Sequence, residues 1–442
     1  MILGIHLSLS LITGALVDAH GEISEMHEAT SENELTGSLQ SLFERVARMM
    51  ESADPGDQLS AIVFDVGDML IHRTPEALTL LRITPRPPID DDHEIAIDRT
   101  QFGDPNVAYI AGGHTAIGNE IVPFDSASLL RIADSASPNT RYVVTSVGSL
   151  IHPAHEIAAE RLLSHHERTA SVEGSRTFHS HSFAVRERTA LMNASLVATA
   201  ETLGTVLALV SGNNFPGSRL YVTTNEGGRS PLTRLTVTPV HSLLSAHSTD
   251  LVGAAAIAGI DNGRLIVLRT DTQVIGEMLD GVPTATPYAP NSLVGRLATP
   301  TAHIRATTPS VLSGAIASDS QAFAPPLVVL QDHQTLPKEL GALDSQHTSL
   351  NLRALGAACS LMTDWVTRFI RIANADEMVE HLVADEARVT ARLVAAGATP
   401  SKVRIVESHV TATAYEAPNV VAIRVRGVAG TLTRLARPRS SR

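Results

Sequence analysis

The chain has 442 residues, enough for two or three domains, and 43% of them are hydrophobic while only 3% are aromatic, so an aliphatic, Ala-rich core is expected. Its formal charge of −12 argues against a general nucleic-acid binder, whose phosphate contacts need an excess of Lys and Arg. A single cysteine, Cys359, excludes an internal disulfide framework and fits a reducing cytoplasm.

Residues 2–17 are apolar, but no Lys or Arg precedes them and Thr13 and Gly14 interrupt them. The run is also short of the roughly 20 residues a membrane span needs. A buried strand pair, residues 3–11 and 15–17, is the expectation. No other long apolar run follows, so no membrane partner is expected. Residues 32–50 carry apolar side chains at helical spacing (Leu35, Leu39, Leu42, Phe43, Val46, Met49). A turn follows at 54–57, then a buried strand at 61–64 and a short apolar element at 78–83. The acidic run 90–92 reads as a solvated loop, because consecutive carboxylates point in different directions. Residues 142–146 read as a strand, 154–163 as a helix, 189–209 as a long Ala- and Leu-rich helix, and 219–223 as a strand.

The most informative stretch is 253–283. A small-residue helical segment, 253–259, runs into a turn at 260–263. Two apolar runs, 265–268 and 274–279, then flank a polar elbow, Arg269-Thr270-Asp271-Thr272. This is strand–turn–strand, and it looks related to the pair near the N-terminus. Beyond it, 327–330 is expected as a strand and 349–372 as a helix in which Gly356-Ala357-Ala358 allows close packing. The remainder reads as a charged helix (375–396), strands at 403–406 and 420–425, and a basic, disordered tail (434–442). Strands alternating with helices imply an α/β fold.

Several short stretches, in order, resemble the hydantoinase A/5-oxoprolinase family in its short form. They are GGH at 112–114, IVPFD at 121–125, HPAHE at 152–156, SH at 180–181 and RERTALMNA at 186–194. LYVTTNEG at 220–227, GAA at 253–255 and AGATPSKVRIVE at 396–407 complete the set. The resemblance implies a two-lobed actin-like (ribonuclease H-like) ATPase fold with a small C-terminal α/β module. It divides the chain into 1–170, 171–345 and 346–442. It also implies ATP and a divalent metal, used to phosphorylate the oxygen of a cyclic amide or related carbonyl substrate.

The chain departs from that family where phosphate should bind. A D-x-G-G-T-x-T-D pattern is expected at both hairpin turns. The first reads His6-Leu7-Ser8-Leu9-Ser10-Leu11-Ile12-Thr13 and the second Val267-Leu268-Arg269-Thr270-Asp271-Thr272-Gln273-Val274. The turns thus carry His6, Ser8, Ser10, Thr270 and Thr272 in place of a phosphate cradle. Asp65-Val66-Gly67-Asp68 stands where G-T-T-H is expected, and residues 331–334 where a glycine triplet is expected. Neither ATP nor metal is therefore expected as a cofactor, and the leading expectation is a non-catalytic partner or regulatory subunit. Its partner would be a catalytically intact paralogue or a second copy of the chain. The alternative is a hydrolase opening a cyclic amide of hydantoin or 5-oxoproline type with rebuilt groups, for which Asp271 and Arg269 are the candidates. Against that stands a solvated hairpin elbow. Asn225, Glu226 and His114 match the substrate side of the family, with residues 225–227 equally readable as only a turn. His155 and His181 are candidate metal ligands against a reading as surface and capping histidines, and Cys359 reads as a small buried hydrophobe. If catalysis is lost, Leu9, Leu11 and Leu268 are expected to pack where nucleotide would lie.

Overall fold

The computed structural model describes residues 1–31, 34–51, 58–72, 77–86, 105–270, 272–289, 295–307, 326–331, 334–336, 343–413, 419–433 and 435–436. The expected turn at 54–57, the acidic run 90–92, Asp271 and most of the basic tail lie outside them.

The chain opens with an antiparallel hairpin, β1 (Ile2–Leu7) and β2 (Leu11–Val17), in which Leu3, Ile5, Leu7 and Ile12 are fully buried. The first strand stops four residues short of the expected 11, and Leu9 and Leu11 are exposed at the turn. β3 (Ile23–Ala29) pairs antiparallel with β2, and α1 (Leu35–Glu51) buries its Leu39/Leu42/Phe43/Val46 face. β4 (Ala61–Asp65), buried throughout, lies parallel to β1 and runs into α2 (Gly67–Ile71). A separate parallel sheet then forms from β5 (Leu78–Thr84) and β6 (Asn106–Ala111), followed by α3 (Ser126–Ser135), β7 (Thr140–Ser146), α4 (Ala154–Ser164) and β8 (Thr169–Gly174). Its order is β6-β5-β7-β8.

α5 (Phe183–Asn214) outruns the expected 189–209 because Ser182 caps it, its hydroxyl accepting from the Val185 N–H. By length and composition this helix could cross a membrane, but half of its apolar window is buried in the protein. β9 (Arg219–Thr223) lies parallel to β4, and β10 (Arg229–Pro231) folds back on it. α6 (Ser245–Ala258) starts eight residues before the expected 253 and ends on Gly259, whose φ of 68° needs a residue without Cβ. The expected second hairpin is β11 (Gly263–Leu268) and β12 (Gln273–Leu279). Short strands follow: β13 (Val282–Pro283), β14 (Ala285–Thr286), β15 (Thr301–Ala302) and β16 (Ile304–Thr307). Then come β17 (Leu327–Gln331), parallel to β11, and β18 (Ser345–Thr348).

The single helix expected over 349–372 is corrected. α7 (Leu352–Cys359) occupies only its first part, and β19 (Met362–Arg371) takes the rest. Thr363, Trp365, Val366, Thr367, Phe369 and Ile370 are β-branched or aromatic, and ten residues of antiparallel pairing outweigh the weak helical spacing. α8 (Ala375–Ala395), β20 (Val403–Ala412) and β21 (Val420–Ala429) complete the chain, giving a mixed α/β protein with eight α-helices among the described residues.

The two hairpins occupy different sheets in the same arrangement. In one, β2 pairs antiparallel with β1, which lies parallel to β4 and, beyond it, β9. In the other, β12 pairs antiparallel with β11, which lies parallel to β17 and, beyond it, β18. The first sheet has nine strands, in the order β20-β21-β19-β10-β9-β4-β1-β2-β3. The C-terminal strands are thus continuous with the N-terminal ones, joined at the Arg229–Met362 pair of β10 and β19.

Helix α7 is wedged between β1 and α6, where three glycines permit backbone contact. A Cβ on Gly4 would strike the Ala354 carbonyl, one on Gly253 the Leu352 carbonyl, and one on Gly356 the Thr249 carbonyl. None of these obstacles is a flexible side-chain end, so the helix itself would have to move. Gly356→Ala and Gly253→Ala should each destabilise the protein by about 1–3 kcal/mol in urea unfolding. Gly37→Ala, on an exposed turn of α1 with open space around it, should stabilise it by about 0.5–1 kcal/mol. Equal effects at all three positions would refute the wedge.

Candidate functional site

The ends of β1 and β4 lie side by side, His6 opposite Asp65 in register. The His6 Nδ1 and Asp65 Oδ2 atoms are 3.0 Å apart, and both residues are buried. The other oxygen of Asp65 accepts from Ser245 Oγ at 2.7 Å and Thr223 Oγ1 at 2.9 Å. Directly after β4, the first turn of α2 presents Asp68, whose Oδ2 is 3.6 Å from His6 Nε2. Across from it, Asn351 caps α7 by accepting from the N–H groups of Arg353 and Ala354, which fixes Arg353 in the first turn. Arg353 then bridges the two sides: Nη1 donates to Asp68 at 2.7 Å and Nε to Asp250 of α6 at 3.4 Å. From the turn after β11, Arg269 Nη1 donates to the second Asp250 oxygen at 2.9 Å.

These contacts decide the charge states. Burial works against ionised Asp65, yet the hydrogen bond and pull of His6, then Arg353 and Ser245, hold its carboxyl below the ordinary value. Burial likewise opposes ionised Asp250, but Arg353, His247 and Arg269 hold it far below. The same carboxylates, Asp250 first and then Asp68 and Asp65, overcome the burial of Arg353 and bind its proton more tightly. Carboxylates from α2 and α6 are thus matched by guanidinium groups from α7 and the turn after β11, and the one ending β4 by His6.

Of the two stretches read from the sequence as altered phosphate loops, one residue each, His6 and Arg269, enters this cluster. The elbow reading of Arg269 as freely solvated is corrected, since its side chain is only 23% exposed and turns inward. Ser8 closes its own turn, its hydroxyl donating to the Leu11 carbonyl at 2.8 Å and accepting from the Leu11 N–H at 3.1 Å. Ser10 is exposed and its carbonyl accepts from Thr30. Thr270 accepts from Gln334, and Thr272 closes the second turn through Arg269 N–H. The expectation that Leu9 and Leu11 fill this space is also corrected, since they are 43% and 38% exposed. Leu268 is buried, in the sheet core with Ile266, Ile275, Val328 and Leu330. Sequence reading missed Asp250 and Arg353, which bear no motif, and took Asp65 and Asp68 only as substitutions in a lost segment. The usable signal was a carboxylate ending a fully buried strand.

The other candidates lie elsewhere. Asn225 donates to Val240 O and Thr299 Oγ1 and accepts from Leu244 N–H, so it pins the entry to α6. Glu226 is fully buried and accepts from Thr224 and Thr363 hydroxyls, its carboxyl raised by burial despite Arg426. His114 packs ring to ring with His152 and His155, at 4.3 and 4.2 Å, and burial and those neighbours depress its pKa. His155 Nδ1 accepts from Gly113 N–H at 2.8 Å, leaving Nε2 to donate to Glu120. His181 sits edge-on against Phe369 and shares a cavity of about 230 Å³ with His114. Among the described residues no group of three or more His, Cys, Asp or Glu is arranged to hold a metal ion. Cys359 is buried and its thiol is pushed up to about 12 by that burial, as a small core residue would be.

Asp250→Asn should cost about 3–5 kcal/mol at pH 7, because two guanidinium groups lose their buried partner. Both Asp65 and Asp250 titrate below their ordinary 3.8, so their stabilisation is complete above it and lost as the pH falls through the folded-state values. The gap between wild type and Asp250→Asn in denaturant titrations should be constant from pH 5 to 8 and narrow below about pH 3.8. A gap that instead narrows between pH 5 and 8 would exclude this assignment.

No protein-family model matches the chain, and no curated protein matches it in sequence. Solved structures do match in fold. A nucleotide-free acetone carboxylase, from work on the mechanism of ATP-dependent acetone carboxylation, superposes with a TM-score of 0.69 at 10% identity, covering 97% of this chain and 88% of that one. The ATP-dependent caprolactamase from Pseudomonas jessenii gives a TM-score of 0.68 at 12% identity, covering 99% and 88%. At these identities the likeness is one of fold.

Proposed function

We propose that the chain is a hydantoinase A/oxoprolinase-like protein that has lost ATP-dependent chemistry and acts as a non-catalytic partner or regulatory subunit. Its partner on this reading is a catalytically intact paralogue or a second copy of itself. Two ATP-dependent enzymes of the same fold support the ancestry, and the matching β2-β1-β4 and β12-β11-β17 units support a two-lobed, actin-like design. One observation carries the loss of chemistry: the ionic cluster through which Arg353 and Asp250 link His6 of the first hairpin to Arg269 of the second.

A Mg²⁺–triphosphate does not fit the residues present. Mg²⁺ needs free carboxylates and water in octahedral array, but Asp65, Asp68 and Asp250 are held by His6, Arg353 and Arg269. Phosphate needs free backbone N–H groups, yet those of Ser8, Leu11 and Arg269 are bonded within their own turns. The buried His6–Asp65 pair favours a second reading, a cyclic amidohydrolase with rebuilt groups in which His6 takes a proton and Asp65 orients it.

Calorimetry with ATP and Mg²⁺ is expected to show no saturable heat, and Mg²⁺-dependent binding at micromolar ATP would overturn the proposal. On the same protein, hydantoin and 5-oxoproline should not be turned over. Turnover abolished by His6→Gln with unchanged melting temperature would favour the hydrolase. Co-expression with an intact paralogue, followed by light scattering on the purified material, should give a defined complex of the two chains or a homo-oligomer. A monodisperse monomer in both cases would remove the partner reading.

A further inference from the structure

Charge is balanced where β1 and β4 end, at His6 and Asp65, but not where these strands begin. Ile2, Ala61 and Arg219 stand in one row there, in register across β1, β4 and β9. Tyr221, two residues further along β9, shares their face of the sheet. So does Arg229 of β10, because its partner on β9 is Thr223, two residues beyond Tyr221. Met362 of β19 pairs with Arg229 and continues the face. The chain leaving α8 crosses it: the Tyr221 hydroxyl donates to the Ala396 carbonyl at 2.9 Å, and Arg219 Nη1 donates to the Gly397 carbonyl at 2.6 Å. Arg229 lies over the ring of the same tyrosine, 5.0 Å from guanidinium carbon to ring centroid. Its Nε and Nη1 are buried without a hydrogen-bond partner, and among the described residues no carboxylate pairs with it.

This face borders a cleft of about 870 Å³, lined by Arg219, Tyr221 and Arg229 together with Lys402, from the turn Pro400–Lys402 after α8. A smaller cavity of about 170 Å³ adjoins it, and Arg229, Lys402, Ile2, Met362, Gly397 and Thr399 line both. Among the described residues no Asp or Glu lines either one, although the chain carries 46 of them against 34 Lys and Arg. Arg219 and Lys402 are exposed, and Arg229 is half-buried between β9 and β19. A cleft lined by one sign of charge draws in counter-ions. A guanidinium whose donors are already desolvated and unpaired can hold an anion without first giving up a partner. Leu59, Phe215 and Met362 add apolar wall beside it. The cleft therefore suits a small organic ligand of multiple negative charge.

We propose that this cleft binds a small dianion, a dicarboxylate or a phosphate monoester, with one anionic group on Arg229 and with Arg219 and Lys402 supplying the other positive charge of the cleft. The site lies at the opposite ends of β1 and β4 from the His6–Asp65 pair and does not depend on whether that cluster has lost its chemistry. Its walls come from β9, β10 and the segment after α8, so a bound dianion adds contacts where the C-terminal module joins the large sheet.

The full chain is titrated by calorimetry at matched ionic strength with succinate, with inorganic phosphate, and with succinamide as the succinate skeleton without charge. Saturable binding is expected for at least one of the two dianions, with at least tenfold weaker binding of succinamide. The tighter dianion identifies the class, dicarboxylate or phosphate. Arg229→Met should reduce that affinity at least tenfold. Arg219→Ala with Lys402→Ala should reduce it at least threefold and make it less sensitive to salt, because two of the charges in the cleft are removed. Arg45→Met, on an exposed pair with Glu28, should leave binding unchanged. If Arg229→Met does not fold, the double variant, which changes only exposed side chains, decides in its place. No saturable binding of either dianion, succinamide binding as tightly as succinate, or undiminished affinity in Arg229→Met or in the double variant would each overturn the proposal.

Discussion

Everything at the candidate site depends on how closely α7 approaches its neighbours. Gly4 in β1, Gly253 in α6 and Gly356 in α7 let three backbones touch, and only at that distance does Arg353 reach Asp68 and Asp250 together. The helix is short, eight residues, so its position is set by these contacts and by the Asn351 cap rather than by its own propensity. A helix held a side chain's width further out would leave Asp250 with Arg269 and His247 only, and Asp68 with a distant His6. Packing and electrostatics are thus one device here.

That device uses the same charge arithmetic as a metal site, with different carriers. Aspartates gathered at strand and helix ends repel one another unless a cation stands between them, and in phosphoryl-transfer enzymes that cation is Mg²⁺. Here guanidinium groups occupy the role, and a guanidinium differs in being covalently attached and always charged. Its carboxylates are therefore paired with charge that cannot dissociate, so a divalent ion would have to displace a guanidinium to reach them. The fold it shares with ATP-dependent enzymes does not decide that competition, because chemistry resides in the site.

Much of the architecture was legible in the primary structure. Both hairpins, α1, β4, α4 and the C-terminal helix with its two strands follow from apolar periodicity, turn dipeptides and caps. The failure at 349–372 has a plain cause: Leu352, Leu355 and Cys359 do follow helical spacing, and the same window runs on into Val366 and Phe369, again three apart, which in β19 fall on opposite faces and in different core clusters. Pairing such as Met362 with Ala429 or Arg371 with Val420, far apart in the chain, leaves no local trace. The site was legible by half. His6 and Arg269 were marked because they broke an expected pattern, whereas Asp250 and Arg353 lie in ordinary helical text and acquire meaning only through three-dimensional neighbours. Leu9 and Leu11 went astray because apolar character was taken for burial, although single exposed leucines are common on protein surfaces.

The charge pairing between the hairpins bears on how that part of the chain would meet small molecules. Binding free energy comes from needs left unmet in the free protein, since a group already satisfied must give up a partner before it gains one. His6, Asp65, Asp68, Asp250, Arg269 and Arg353 are mutually satisfied, so any ligand entering between the hairpins competes with contacts as short as 2.7 Å. Arg353 in particular would have to give up Asp68 or Asp250 before it could hold an incoming anion. The space between the hairpins is thus poorly receptive to a charged ligand as long as this pairing holds.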